Sequence, residues 1–339
     1  MAQADNKILY VGIDLGTSRS STAASNGEKK WITSYVGWPK DFVAAQVVKK
    51  DVLFGDEATE NRLSLDICRP LERGIVKEGL ERSEEAVQEI IRHLIELVGD
   101  KGPDTRIHAV VGVPSESLNV NKLAIRKAVS EFVHSLMVVS EPFAVAYGMG
   151  LLNNALVIDI GAGTTDFCIM HGAIPAEEDQ KTLLMAGDYI DDQLFSYLKE
   201  KYPNATFNIN MVRQFKEKYS FVGDTSGDIK VEIPVDGKPV EHEIKNEVRR
   251  ACESILPALT EATTEMIARF DPEFQAKVKN NIVLAGGGSL IKGIDTYLQE
   301  ALQEYGSCKV TAVDDPLFAG SLGALKLAQD MPANYWETL

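Results

Sequence analysis

Two short segments of the chain carry an aspartate followed two residues later by a glycine, in nearly the same surroundings. The first runs Ile8-Leu9-Tyr10-Val11-Gly12-Ile13-Asp14-Leu15-Gly16-Thr17-Ser18. The second runs Ala155-Leu156-Val157-Ile158-Asp159-Ile160-Gly161-Ala162-Gly163-Thr164-Thr165. In each, an apolar β-type run leads into Asp-x-Gly, then small and hydroxylated residues, then another β-type run. That order predicts strand, tight turn, strand. A chain of phosphates needs backbone N–H donors at close approach, which glycine and small residues allow. Gly16, Thr17 and Ser18 would supply them from one side, and Gly161, Ala162, Gly163 and Thr164 from the other. Asp14 and Asp159 fall at the mouths of the turns, where bare carboxylates would repel phosphate. A hydrated Mg2+ bridging carboxylates and phosphates resolves that conflict, because Mg2+ usually keeps several waters. Both aspartates are therefore candidate metal ligands, and Asp159 is also a candidate catalytic residue through the metal it places. One Asp-x-Gly is an ordinary hairpin turn. Two in matching context, 145 positions apart, are a duplication.

Two more segments fit the same chemistry. Gly286-Gly287-Gly288-Ser289 follows an apolar run and precedes a helical stretch. Three glycines let a flat base or ribose approach the backbone, so Gly286, Gly287, Gly288 and Ser289 read as an adenosine loop. Ser140-Glu141-Pro142 follows the β-type run Leu136 to Val139. Pro142 suits the first turn of a helix, which sets Glu141 at a strand end facing the cleft. A carboxylate there can orient a water or accept its proton, and Glu141 is the candidate catalytic group. There is no Gly-Lys-Ser/Thr of a Walker A loop, and no Gly-x-Gly-x-x-Gly at the first strand–turn.

These residues must be held by a larger frame. Ile107 to Pro114 and Asn281 to Ser289 correspond as buried strands ending at a site edge. Ser83 to Val98 has apolar residues at Val87, Ile90, Ile91, Leu94 and Val98, one face of a helix, with Ser83 as the expected N-cap. Each half thus reads as an α/β layered lobe. Residues 33–75 read as short β pieces and loops. Residues 189–245 read as a helix from Asp191 to Lys201, then a hairpin turning at Asp236-Gly237. The chain has 339 residues, 45% apolar and 25% charged, enough for two lobes with full cores. A net charge of −15 disfavours nucleic-acid partners, which need clustered Lys and Arg. Cys68, Cys168, Cys252 and Cys308 are scattered and suggest reduced cytoplasmic thiols. No apolar run approaches the 18 residues of a membrane span, and Met1 to Lys7 is short and polar.

Taken in order, the segments around Asp14, Val138 to Gly148, Asp159 to Asp166 and Gly286 to Ser289 resemble the motif set of the actin, sugar-kinase and heat-shock-chaperone superfamily. Arg69-Pro70-Leu71-Glu72-Arg73-Gly74-Ile75-Val76 resembles a segment of actin and MreB. Trp38-Pro39-Lys40-Asp41, Ser140-Glu141-Pro142-Phe143, Lys216-Glu217 ahead of Phe221-Val222-Gly223, and Tyr335-Trp336 are similar to the magnetosome-associated branch of the bacterial actins.

The resemblance implies an actin-like ATPase fold: two duplicated α/β lobes around a nucleotide cleft, each with a smaller inserted subdomain. It implies a large subdomain from 1–32, 76–152 and 318–339, with 33–75 as its insert. The second would comprise 153–188 and 246–317, with 189–245 as its insert. ATP or ADP with Mg2+ is the implied ligand. Asp14, Gly16, Thr17 and Ser18 match the first phosphate segment, and Asp159, Gly161, Gly163 and Thr164 the second. Glu141 matches the hydrolytic glutamate, and Lys216 a lysine of the helix at the nucleotide edge. Arg213 stands where MreB usually carries a ribose-contacting Glu, and Arg73 where many relatives carry an acid.

The implied activity is ATP-driven assembly into filaments in the cytoplasm beside magnetosome membranes. The partners would be other copies of the chain and acidic or organelle-membrane adaptors, with no transmembrane insertion. Plasmid-segregating and cell-shape actins, and a small-metabolite kinase of the same fold, are the alternative readings. Tyr335 and Trp336 are expected to pack back on the body, with a partner-binding tail as the alternative.

Overall fold

The computed structural model describes residues 7–71, 81–99, 105–115, 118–129 and 132–338. β1 (Ile8–Leu15) and β2 (Arg19–Ala24) form a hairpin that β3 (Lys29–Thr33) extends. β4 (Val36–Pro39), α1 (Phe42–Val48), β5 (Leu53–Phe54), α2 (Gly55–Glu60) and β6 (Leu65–Cys68) follow, and their strands make a small sheet of their own. α3 (Glu81–Val98), β7 (Arg106–Val113), α4 (Leu118–Val129), β8 (Ser135–Ser140) and α5 (Glu141–Met149) come next. β9 (Asn153–Ile160), β10 (Thr165–His171) and β11 (Gln180–Leu183) then repeat the opening. α6 (Gly187–Lys201) and α7 (Ile209–Tyr219) precede the hairpin of β12 (Lys230–Val235) and β13 (Lys238–Glu243). The chain continues with α8 (Lys245–Glu253), α9 (Leu256–Ala268), α10 (Pro272–Lys279), β14 (Ile282–Ala285) and α11 (Ile294–Leu302). It closes with β15 (Val310–Ala312), α12 (Ala319–Asp330) and β16 (Glu337–Thr338).

The duplication read from the two aspartates is built into the sheets. The first large sheet has the order β16-β8-β7-β1-β2-β3, the second β11-β10-β9-β14-β15. Apart from the terminal β16, each strand of one sheet has a counterpart in the other. β1 is antiparallel to β2 and parallel to β7, as β9 is antiparallel to β10 and parallel to β14. Asp14 lies opposite Gly112 of β7, and Asp159 opposite Ala285 of β14. Strands buried on both faces by crossover helices read as near-continuous apolar runs, which is the pattern of Leu156-Val157-Ile158 and Val110-Val111.

Each lobe has its own core. On α3, Val87, Ile90, Ile91, Leu94 and Val98 are all buried, as their helical spacing predicts. Each such side chain contributes roughly 1.5–3 kcal/mol by leaving water. A third apolar cluster, with Phe143, Val145, Val157, Ala324 and Leu327, joins the lobes through α5 and α12. These two helices touch backbone to backbone: a Cβ on Gly323 would lie 1.9 Å from the Ala144 carbonyl oxygen, and one on Gly148 would lie 2.8 Å from Gly323 Cα. Close contact of this kind fixes how β1 and β9 face each other.

Two readings change. α3 is already helical at Glu81, the first residue described there, so Ser83 lies inside the helix, buried, and is not its cap. Residues 33–75 hold two short helices as well as strands. Asp41 starts the first by accepting from the Val43 and Ala44 N–H groups, both at 2.9 Å. The segment through Arg73 lies outside the described residues from position 72 on. At the other end, β16 pairs with β8 and the Trp336 ring stands 5.0 Å from His108 and 6.5 Å from Tyr10. Trp336 therefore packs back on the body, while Tyr335 stays half exposed. Asp236 (φ 50°) and Gly237 (φ 74°) turn the β12–β13 hairpin, as an Asp-Gly pair favours.

Candidate functional site

The carboxyl ends of β1, β7, β9 and β14 meet at a cavity of about 590 Å3, within the size of small-molecule sites. Asp14, Gly16, Thr17, Ser18, Glu141, Asp159, Gly161, Ala162, Gly163, Thr164, Lys216, Gly286, Gly287 and Gly288 all line it. Ser289 does not. Its Oγ donates to the Gly286 carbonyl at 2.7 Å and braces the glycine turn from behind.

The turns that follow Asp14 and Asp159 are both held by local bonds. The Gly16 carbonyl accepts from Ser34 Oγ at 2.7 Å, Ser34 Oγ lies 2.8 Å from Ser20 Oγ, and the Ser34 N–H donates to the Ser18 carbonyl. On the other side the Gly161 N–H donates to the Thr164 carbonyl at 2.9 Å. The N–H groups of Gly187 and Asp188, at the start of α6, donate to the Gly161 and Ala162 carbonyls at 3.0 and 2.7 Å. The serine brace around Ser20 and Ser34 escapes sequence reading, because one of its members lies beyond the hairpin.

Four carboxyl groups gather between the turns. Burial pushes Asp14 up to about 7. Burial, then the charges of Asp14, Asp159 and Asp166, push Glu141 well above the usual carboxylate range. Asp159 is raised by burial and by Asp14 and Asp166. Asp166 is also raised by burial, against hydrogen bonds from Thr182, Thr164 and Ser115. Its Oδ1 accepts from the Ser115 N–H at 2.8 Å, a link from the second lobe to the loop after β7. Glu141 Oε1 and Asp166 Oδ2 are buried without a hydrogen-bond partner. Like charges this close favour either protonation or a bound cation. Among the described residues no three His, Cys, Asp or Glu side chains close into a metal cage. A cation placed here would draw most of its ligands from outside the protein, the coordination that Mg2+, which keeps several waters, favours.

The glycine run divides into supports and an opening. Gly286 has φ +72°, and a Cβ there would lie 2.3 Å from Asp159 Oδ1. A Cβ on Gly288 would lie 2.2 Å from Ile160 Cγ2, whereas one on Gly287 would meet nothing within 4 Å. Gly286 and Gly288 thus let the loop press on β9, and Gly287 leaves space in the cavity.

Lys216 faces the cavity with its ammonium already engaged. Nζ lies 2.7 Å from Asp191 Oδ1 and donates to the Gly187 carbonyl at 2.7 Å. Arg213 is engaged likewise, by Asp191 Oδ2 at 3.0 Å and Asp188 Oδ1 at 3.1 Å. Sequence reading missed Asp188, Glu217 and Asp315 as lining residues. Glu217, next to Lys216 on α7, lines the cavity and pairs with Arg19 at 3.0 Å.

The family described as MreB/Mbl protein matches residues 9–334. The chain is 41% identical over 337 residues to the actin-like protein MamK of Paramagnetospirillum magneticum, covering 99% of this chain and 96% of that protein. Its structure is similar to a MamK double helical filament, with TM-score 0.93 and 40% identity over 96% of this chain and all of that one. It is also similar to a non-polymerising MamK mutant bound to AMPPNP, with TM-score 0.76 at the same identity and coverage.

Proposed function

The chain belongs to the MreB/Mbl protein family, and from that premise we propose that it binds ATP between the two Asp-x-Gly hairpins, polymerises with Mg-ATP into actin-like filaments and disassembles after hydrolysis. The observation that carries the ATPase reading is Glu141 Oε1, a buried acceptor without a protein partner in the wall of the cavity. The turns Gly16–Ser18 and Gly161–Thr164 cradle the phosphates. Gly286–Gly288 receives the adenosine, and Glu217 accepts from the ribose. Asp14 and Asp159 would hold Mg2+, which would supply the charge neutralisation that the phosphates need. Glu141 orients a water in line with the γ-phosphorus and accepts its proton as the water oxygen bonds to phosphorus. The bond to the β–γ bridging oxygen breaks, leaving ADP and phosphate.

Copies joined head to tail build an open polymer, because such contacts do not close on themselves. Phe42, Val43 and Val47 of α1 and Leu63, beside the reach of Lys40, are exposed apolar surface available for contact between copies. The likeness to MamK extends the proposal to a cytoplasmic filament that organises and positions magnetosome organelles, with organelle-membrane adaptors as partners. No helix among the described residues is long and apolar enough to cross a membrane.

Ultracentrifugation tests this reading. With Mg-ATP the protein should pellet and show filaments by electron microscopy, and without nucleotide it should stay in the supernatant. A protein that remains monomeric across salt and concentration while phosphorylating a small molecule would overturn the filament reading in favour of a kinase.

A further inference from the structure

The mouth of the cavity is bridged by side chains from both lobes. Tyr35 follows β3 and Arg69 follows β6, on the first lobe. Asp188 starts α6 and Arg213 lies on α7, on the second. The Asp188 carboxylate is divided between the two cations: Oδ1 faces Arg213 Nη2 at 3.1 Å, and Oδ2 faces Arg69 Nη1 at 3.2 Å. The Tyr35 hydroxyl accepts from both, from Arg69 Nη2 at 3.0 Å and Arg213 Nη1 at 3.3 Å. Arg213 is anchored within its own lobe by Asp191, which is 1% exposed. A second bridge, Arg19 to Glu217 at 3.0 Å, has side chains 39% and 41% exposed. Water and salt screen a pair that open, and it contributes little. Side-chain exposure of 17% for Arg213, 21% for Arg69 and 31% for Asp188 makes the first bridge the stronger one.

Asp188 is also fastened to the phosphate side. Its own N–H and that of Gly187 bond to the carbonyls of Ala162 and Gly161 in the second phosphate turn. Lys216 holds the Gly187 carbonyl from α7. Any shift of that turn therefore moves Asp188, and with it the link to Arg69. Arg69 itself does not line the cavity.

We propose that Arg69 is a positioning residue for the nucleotide site: from the opposite lobe it clasps Asp188, and through Asp188 the Gly161–Ala162 turn, so that the cleft stays closed over bound nucleotide. The clasp couples the phosphate turn to lobe closure, and it rests on the reading of this cleft as a nucleotide site. Its ionic character gives nucleotide release a salt dependence that packing alone would not.

The test is the release rate of a fluorescent ATP analogue, methylanthraniloyl-ATP with Mg2+, from the full-length chain at concentrations too low for assembly. Arg69→Gln should release it on the order of tenfold faster, the scale of one hydrogen-bonded charge pair. The variant should also lose most of the wild-type acceleration by salt, and Arg69→Lys should recover part of both. Tyr35→Phe keeps the ring and removes the shared acceptor, so it should shift release in the same direction by less. Wild-type release and wild-type salt dependence in Arg69→Gln would overturn the clasp. If that variant does not fold, an unchanged rate in Tyr35→Phe overturns it instead. Failure of the wild-type chain to bind the analogue at all would sink the nucleotide reading, a result distinct from binding with an unaffected release rate.

Discussion

Glu141→Gln leaves nucleotide binding and filament assembly in place and cuts phosphate release on the order of 10²–10⁴-fold, the usual contribution of a positioned general base. Gln keeps the shape and the first-turn position beside Pro142 and loses only the capacity to take a proton. Filaments of the variant should accordingly outlast those of the wild type after ATP is added, as light scattering and phosphate release read together would record. Unchanged phosphate release would remove Glu141 from the reaction. The same substitution has an opposite effect on the empty protein. The folded forms of Glu141, Asp14 and Asp159 hold their protons above the ordinary values of 4.5 for Glu and 3.8 for Asp, Asp14 up to about 7. The unfolded chain ionises first, so the stability of the nucleotide-free fold falls as pH rises from about 4 towards 7 and stays lower above. Glu141→Gln removes one of these acids. At pH 8 without Mg2+ the variant should melt above wild type, by about 2–4 °C for each kcal/mol recovered on the scale of domains this size. Its melting temperature should also decline less steeply between pH 5 and 8.

Gly286→Ala and Gly287→Ala should behave as opposites, although the residues are adjacent. The first places a Cβ at φ +72°, within 2.3 Å of Asp159 Oδ1 and 2.5 Å of the Ile160 carbonyl oxygen. Strain and overlap together cost about 2–4 kcal/mol, and the displaced Asp159 loses its place at the phosphates. Thermal melting should show a clear loss of stability, and calorimetric titration with Mg-ATP should show binding abolished. Gly287→Ala meets no protein atom within 4 Å. Its melting should stay within about 0.5 kcal/mol of wild type, while its methyl group takes space from the ligand and weakens binding. Wild-type affinity in Gly287→Ala would mean that the nucleotide does not approach this loop.

What could be read from sequence was what is local. Each Asp-x-Gly hairpin is one contiguous pattern of apolar strand, small turn and strand, and the two copies occupy matching places in the two large sheets. Glu141 was legible because Pro142 fixes a helix start directly after a strand. The apolar stripe of α3 was legible by its period, but its start was not: Ser83-Glu84-Glu85 looks like a cap and lies within the helix. α1 and α2 are 7 and 6 residues long, too short for a helical period to declare itself. The side chains around the cavity mouth were illegible for a different reason. Arg69 and Asp188 are 119 positions apart, and only the facing of the lobes, set by α5 against α12, brings them together. Arg213 has the wrong charge to accept from ribose, and in the fold it stands between Asp188 and Asp191.

One nucleotide should lie between the two duplicated hairpins with Glu141 at its γ-phosphate. A structure of the chain with Mg2+ and AMPPNP tests it directly. The triphosphate should lie between Gly16–Ser18 and Gly161–Thr164, the base against Gly286–Gly288, and a water between Glu141 and the γ-phosphate. An analogue bound outside this cleft, or within it with the γ-phosphate beyond the reach of a water held by Glu141, would contradict it.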